Sequence, residues 1–276
     1  MEFVIDKDMI INPGGKEPLT LKGCVFGKDV VVERGVTFNV IGGYIGDRTI
    51  IRSGARIEGN SVVLGRESYL DRNVWIGGGS CFDEGAFLNA GEWFHMGWNS
   101  QVNIARGVEI GCEVGLGIET KIFTHGAYLP IDFGFPAQWG KVKIGNRVWL
   151  PSAWVNPGVT IGDEVVVAAR SLVNCDLPSG CLAAGNPARV IRENEYTKRN
   201  FKCVAEALSH IDTVYVKELE RTAIVTTGNT YFDIELRTIE GSVTAESEQI
   251  KNQLRRNGIR FKYIPHEGIY RHWDEV

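Results

Sequence analysis

The sequence predicts a mainly β chain, a parallel β-helix of short strands over residues 1–192 with a loop at 124–141, followed by a small α+β module over 193–276. Three observations predict it. An apolar residue followed by a small or acidic one recurs at a six-residue spacing, a proline- and aromatic-rich stretch interrupts that spacing, and helix-period residues replace it near the C-terminus.

The repeat is read first, because a short internal period fixes the whole fold. It runs through Ile45-Gly46, Ile51-Arg52 and Ile57-Glu58, slips by one residue, and continues through Leu64-Gly65, Leu70-Asp71, Ile76-Gly77, Phe82-Asp83 and Leu88-Asn89. It resumes at Ile110-Gly111, Leu116-Gly117 and Ile122-Phe123, and again at Ile144-Gly145, Leu150-Pro151 and, one residue short, Ile161-Gly162. Phe26-Gly27 and Val32-Glu33 extend it upstream. This period fits neither a helix nor one long strand, but suits flat rungs that each end in a tight corner. Three rungs close a triangular coil whose aliphatics point inward and stack at about 4.8 Å on those of the next coil. A small residue after each aliphatic relieves crowding at the corner, and glycine there is expected to supply unusual backbone angles as well. A β-sandwich would instead show turn signals every 8 to 12 residues or so.

Two places break the repeat. Trp93 to Gln101, with Trp93, Phe94, His95, Trp98 and Asn99, reads as a corner distortion or short loop. Thr124 to Lys141 holds Pro130, Pro136, Phe133, Phe135 and Trp139, and a loop of that length is uncommon without a function. In the tail, Phe201, Val204, Ala205, Leu208 and Ile211 mark one helix face. Thr222 to Thr226, Gly228-Asn229 and the alternating Phe232, Ile234 and Leu236 read as a β-hairpin, and Val214 and Val216 as another short strand. Thr244 caps a helix that runs to Arg256 and stops at Gly258, and Phe261 to Ile264 is expected to form a final strand.

A net charge of −4 argues against nucleic acid as a partner, so an anionic ligand needs a local basic patch. No apolar run approaches the roughly 20 residues that span a bilayer, and residues 1–20 lack the pattern of a secretory signal. The 6 cysteines include no C-x-x-C pair, which suits reduced thiols rather than a zinc site or a disulfide scaffold. A cytoplasmic protein without membrane insertion is the expectation.

The segment from Val142 to Arg192 resembles the hexapeptide-repeat acyltransferases, which include sugar O- and N-acetyltransferases. The resemblance rests on Ile144 to Trp149, on Asn156-Pro157-Gly158-Val159-Thr160-Ile161-Gly162-Asp163, and most of all on Ala184-Gly185-Asn186-Pro187-Ala188-Arg189-Val190-Ile191-Arg192. Pro151 and Asn174-Cys175-Asp176 depart from the residues often found in that family. The resemblance implies a left-handed β-helix, assembly as a homotrimer, acetyl-CoA as co-substrate without a metal, and a histidine near a protruding loop as general base.

That histidine is His125 in Phe123-Thr124-His125-Gly126. An ordinary histidine is largely neutral yet basic at cytosolic pH, which suits the role. Asp132 and Glu119 are the candidates for orienting it, with a backbone carbonyl as the alternative. Candidate CoA contacts are Trp149, Ala169, Gly185, Asn186, Pro187 and Ala188, with Arg189, Arg192, Lys198, Arg199 and Lys202 as the basic patch for its phosphates. Candidate acceptor contacts are His95, Trp98, Asn99, Phe133 and Trp139, whose aromatic faces suit sugar rings. A zinc-dependent carbonic anhydrase on the same solenoid would need three protein ligands, and only His95 and His125 lie in the repeats. The remaining alternatives are a non-catalytic trimeric scaffold and an acetyltransferase of small xenobiotics.

Overall fold

The computed structural model describes residues 3–5, 7–13, 19–21, 23–193, 201–211, 214–218 and 223–274. It divides into two units, Met1–Thr197 and Lys198–Val276.

The first unit is a coil of short strands, most of them paired in parallel with strands one turn away, and its cross-section has three faces. On the first face Phe38, Ile57, Ile76, Val102, Ile122 and Val155 form one column of register partners. On the second face the column is Ile45, Leu64, Ala90, Ile110, Ile144 and Ile161. On the third it is Val32, Ile51, Leu70, Met96, Leu116 and Leu150. All are buried, so the hexapeptide aliphatics are the core. Antiparallel strands close both ends, Met9–Ile11 against Val30–Val32 and Ala188–Arg192 against Leu182–Gly185.

The corners correct one expectation. Gly46, Gly65 and Gly111, which follow a core aliphatic, have no positive φ. They are required by close approach: a Cβ on Gly65 would lie 2.4 Å from the carbonyl carbon of Gly91 in the next coil. The left-handed conformation falls two residues later on Arg48, Glu67, Trp93, Glu113, Arg147 and Glu164, with φ between 53° and 59°. Asn73, Asn99, Glu119, Ser152 and Arg170 do the same at the corner between the third and first faces.

The interruptions also lie elsewhere than expected. Trp93 to Gln101 is no break, since Phe94 and Met96 are buried and the strand His95–Met96 pairs with coils on both sides. Phe82-Asp83 is not a rung but part of a loop, residues 78–86, between Trp75–Gly77 and Phe87–Ala90; Phe82 is exposed. The second loop leaves after Lys121–Ile122 and returns at Val142–Ile144, holding a two-residue ladder, His125–Gly126 with Gln138–Trp139, and a 3-10 turn at Ile131–Phe133. Both loops leave the corner between the first and second faces, with one uninterrupted coil between them.

The second unit is an antiparallel sheet with two α-helices, α1 (Lys202–Leu208) and α2 (Ala245–Arg256). Its core joins Val204 and Leu208 of α1 and Ile250 and Leu254 of α2 to Val225, Phe232 and Ile239 of the sheet. Thr244 caps α2 by accepting from the Ser247 amide, and Ser247 returns the bond. The hairpin turns at Gly228-Asn229 between Ala223–Thr227 and Thr230–Asp233; Thr222 lies outside the described residues. Leu236 is exposed beyond it rather than in a strand. Phe261 packs edge-on against Phe232, and the final strands are Ile264–His266 and Ile269–Arg271 rather than Phe261 to Ile264. Among the described residues no helix is long and apolar enough to cross a membrane.

Candidate active site

The site forms where three consecutive coils turn from the first face to the second. The middle coil ends its first-face strand, Gln101–Asn103, on an asparagine. This is the position after the core aliphatic, where Gly77 stands one coil earlier. The next coil brings Thr124 and His125 over the same corner.

Asn103 is buried, and its amide orientation is decided by its neighbours. Its Nδ2 donates to the Gly79 carbonyl at 3.3 Å, and its Oδ1 accepts from the Ala105 amide at 3.3 Å. The Thr124 hydroxyl accepts from the Arg106 amide at 3.2 Å and donates to the same Oδ1 at 2.5 Å. His125 Nδ1 lies 3.0 Å from that oxygen. A carboxamide oxygen only accepts, so Nδ1 carries the proton and Nε2 holds the lone pair. Gly79 lies beside this free nitrogen: a Cβ there would stand 3.6 Å from Nε2. Gly78, at φ +96°, is kept bare by Asn103, whose Nδ2 would lie 2.6 Å from an added Cβ.

The His125 ring stacks on Trp139, with centroids 4.7 Å apart and planes 13° from parallel. The guanidinium carbon of Arg106 lies 4.3 Å from the Trp139 ring centroid, and Arg106 Nη1 donates to Asp83 Oδ2 at 3.0 Å. Desolvation, then the positive charge of Arg106, pushes the His125 pKa below its ordinary value, against a smaller opposing effect of Asp83. The ring is therefore held neutral near pH 7, as a base requires.

These positions correct several sequence-based expectations. The orienting group is Asn103, not Asp132 or Glu119: Asp132 sits in the exposed 3-10 turn, and Glu119 at a corner between the third and first faces. His95 stacks on Tyr69 on the third face, in the column that contains Gly115 and Trp149, and so lies outside the His125 site. Of the acceptor candidates Trp139 is in the site, while Phe133 and Trp98 are exposed elsewhere, on the loop and near a corner. Ala188 is fully buried in the core, which removes its side chain from the cofactor candidates. Trp149 lies over Gly115, where a Cβ would meet its ring at 2.5 Å.

A groove of about 580 Å³ follows the corner between the third and first faces, lined by Asn99, Glu119, Lys121, Ser152, Trp154, Arg170, Ser171, Leu172 and Asn186. It contains Asn99 and Asn186 of the expected contacts. Ala169 is exposed beside Arg170, and Gly185 and Pro187 are exposed on either side of Asn186. Arg189 and Arg192 are exposed on the terminal hairpin, with Arg189 Nη1 near Asn174 Oδ1 at 3.5 Å. Lys198 and Arg199 lie outside the described residues, and Lys202 belongs to the second unit. Among the described residues no group of His, Cys, Asp and Glu is arranged to hold a metal ion.

No family model matches the chain. It is 33% identical over 124 residues to a galactoside O-acetyltransferase of Escherichia coli, which covers 44% of this chain and 61% of that protein. It is 36% identical over 100 residues to a putative acetyltransferase, YvoF, of Bacillus subtilis, covering 36% of this chain and 55% of the relative. Both relatives bear acetyltransferase names, the second as putative. A solved hexapeptide-repeat acetyltransferase from Vibrio cholerae superposes with a TM-score of 0.41 at 27% identity, over 48% of this chain and 73% of the other. The chain thus spans less than two thirds of the length of the acetyltransferases from Escherichia coli and Bacillus subtilis.

Proposed function

We propose that the first unit transfers an acetyl group from acetyl-CoA to a hydroxyl or amine of a sugar or nucleotide-linked sugar, with His125 as general base. The observation that carries the reading is the fixed tautomer: Nδ1–H is given to Asn103 Oδ1, leaving Nε2 free beside Gly79. The acceptor donates its proton to Nε2 as its oxygen or nitrogen attacks the thioester carbonyl. The C–S bond then breaks, and the departing thiolate takes the proton back from the imidazolium. No covalent enzyme intermediate is needed.

The groove beside Lys121 supports the placement of CoA. Four residues, with a bend at Thr124, separate Lys121 from His125, so the groove residue and the base lie at most roughly 14 Å apart along the chain. An extended pantetheine arm bridges such a span, and Lys121 and Arg170 in the groove carry charge suited to phosphates. The sugar acceptor rests on the galactoside-acetylating relative and on the indole of Trp139 beside the base. A homotrimer of left-handed coils would cover the apolar side chains of the second loop, of which Tyr128, Ile131 and Phe133 are 97%, 71% and 78% exposed. A cytoplasmic location fits a CoA-dependent reaction.

The test is acceptor-dependent release of thiol from acetyl-CoA across a panel of sugars and nucleotide-linked amino sugars. His125→Ala should lower the rate by about 10² to 10⁴ while CoA binding persists. A wild-type chain that binds no CoA and releases no thiol with any acceptor would return the chain to the scaffold reading.

A further inference from the structure

The two loops at the catalytic corner are joined by one side chain. Arg106 belongs to the coil between them, in the turn that follows Gln101–Asn103. Its Nη1 donates to Asp83 of the 78–86 loop at 3.0 Å and to the Ala105 carbonyl at 2.9 Å. Its guanidinium carbon lies 4.3 Å from the Trp139 ring centroid on the returning arm of the other loop. Trp139 in turn stacks on His125 and forms with it one step of the two-residue ladder at the base of that loop. The backbone amide of Arg106 donates to Thr124, so the residue also braces the hydroxyl that shares the Asn103 oxygen with His125. A guanidinium suits this place because its planar edge pairs with a carboxylate while its face lies on an indole. Lysine could supply the charge but not the plane.

We infer that Arg106, anchored by Asp83, is a positioning residue that straps the 78–86 loop to the 124–141 loop and holds Trp139 against the imidazole of His125. The inference rests on the reading of His125 as the base. It adds that the base owes part of its placement to a cation outside its own hydrogen bonds, which adds to desolvation in favouring the neutral ring. Arg106 and Asp83 are the charged groups that act on the ring, with opposite signs, while Asn103, Thr124 and Trp139 around it are neutral.

The test reads the imidazole directly, so that it does not depend on turnover. The five histidines of the full chain are followed by NMR across pH, and the His125 signal is assigned by its loss in His125→Asn. Arg106→Gln should raise the His125 pKa and reduce the ring-current shift that Trp139 imposes on its ring protons. Asp83→Asn, which releases the strap, should reduce the ring-current shift as well, with a smaller pKa change because the effects of Asp83 and Arg106 oppose. Arg106→Lys should restore the pKa but not the ring-current shift. Where activity is measurable, the acid limb of kcat/KM should move to higher pH in Arg106→Gln. Asp83 is about half exposed, so its amide variant tests the strap even if Arg106→Gln folds poorly. Unchanged His125 titration and ring-proton shifts in folded Arg106→Gln, or an unchanged ring-current shift in Asp83→Asn, would overturn the inference. Absence of acyl transfer with the expected NMR shifts intact would instead overturn the proposed function.

Discussion

In the proposed reaction His125 depends on one acceptor oxygen that serves several donors. Asn103 can play this part because its Nδ2 is fixed by Gly79 and its Oδ1 by the Ala105 amide, so the carboxamide cannot turn over to offer the histidine a donor. Asn103→Ala leaves Nδ1–H without its partner and frees the ring to take the other tautomer. A lost buried hydrogen bond of about 1–3 kcal/mol corresponds to roughly five- to 160-fold in kcat. The change should appear in kcat more than in KM, with CoA binding retained. The depressed pKa gives the pH dependence its sign: the midpoint of the acid limb of kcat/KM should lie below the ordinary histidine value of about 6.5. A rate profile with its acid limb above 6.5 would contradict the burial of this ring. His125 was a candidate from the sequence because the family resemblance implies a histidine near a protruding loop, and His125 opens one. Asn103 was not, because an asparagine after a core valine also reads as one more small corner residue, and its role depends on a contact 22 positions away.

At the scale of single rungs and corners, the spacing of core aliphatics fixed which residues face inward, and the stacked columns follow it through both interruptions. The loops were legible unequally. The 124–141 loop carries prolines and exposed aromatics, whereas the 78–86 loop places Phe82-Asp83 where a rung would place its aliphatic and acidic pair. Sequence spacing cannot separate the two readings; the pairing of Leu88 with Val62 does. The corner glycines give an element-scale prediction. A side chain at Gly65 would meet the backbone of Gly91, which can give way only by separating two coils. Gly65→Val should therefore destabilise the unit by the 1–3 kcal/mol or so typical of overpacking. Glu67→Gly, at the neighbouring position with φ +53°, should cost far less through the backbone, because glycine adopts that angle freely. Its remaining cost is the loss of the Glu67 bonds to Arg48 and Trp93. Thermal denaturation of the two variants separates close approach from backbone angle as the reason for glycine at these corners.

For the whole molecule, the sequence change near residue 192 corresponds to a second unit with its own buried core, joined to the coil by residues outside those described. Two features of the coil argue that it works as an assembly. The second loop exposes Tyr128, Leu129, Ile131 and Phe133 close together in sequence, a costly arrangement for an isolated chain. Trp154 and Trp149 are likewise half exposed on the faces flanking the corner that bears Ser152. If copies of the chain cover the loop, sedimentation equilibrium at micromolar concentration should give three times the chain mass of 30.6 kDa. Ile131→Ser combined with Phe133→Ser should then shift the distribution toward monomer. Neither side chain is buried in the single chain, so the double variant should keep the thermal stability of the monomer unit, and any fall in activity should track dissociation. A wild-type chain that sediments as a monomer would overturn this assembly, and the same double variant would then change neither the mass nor the activity.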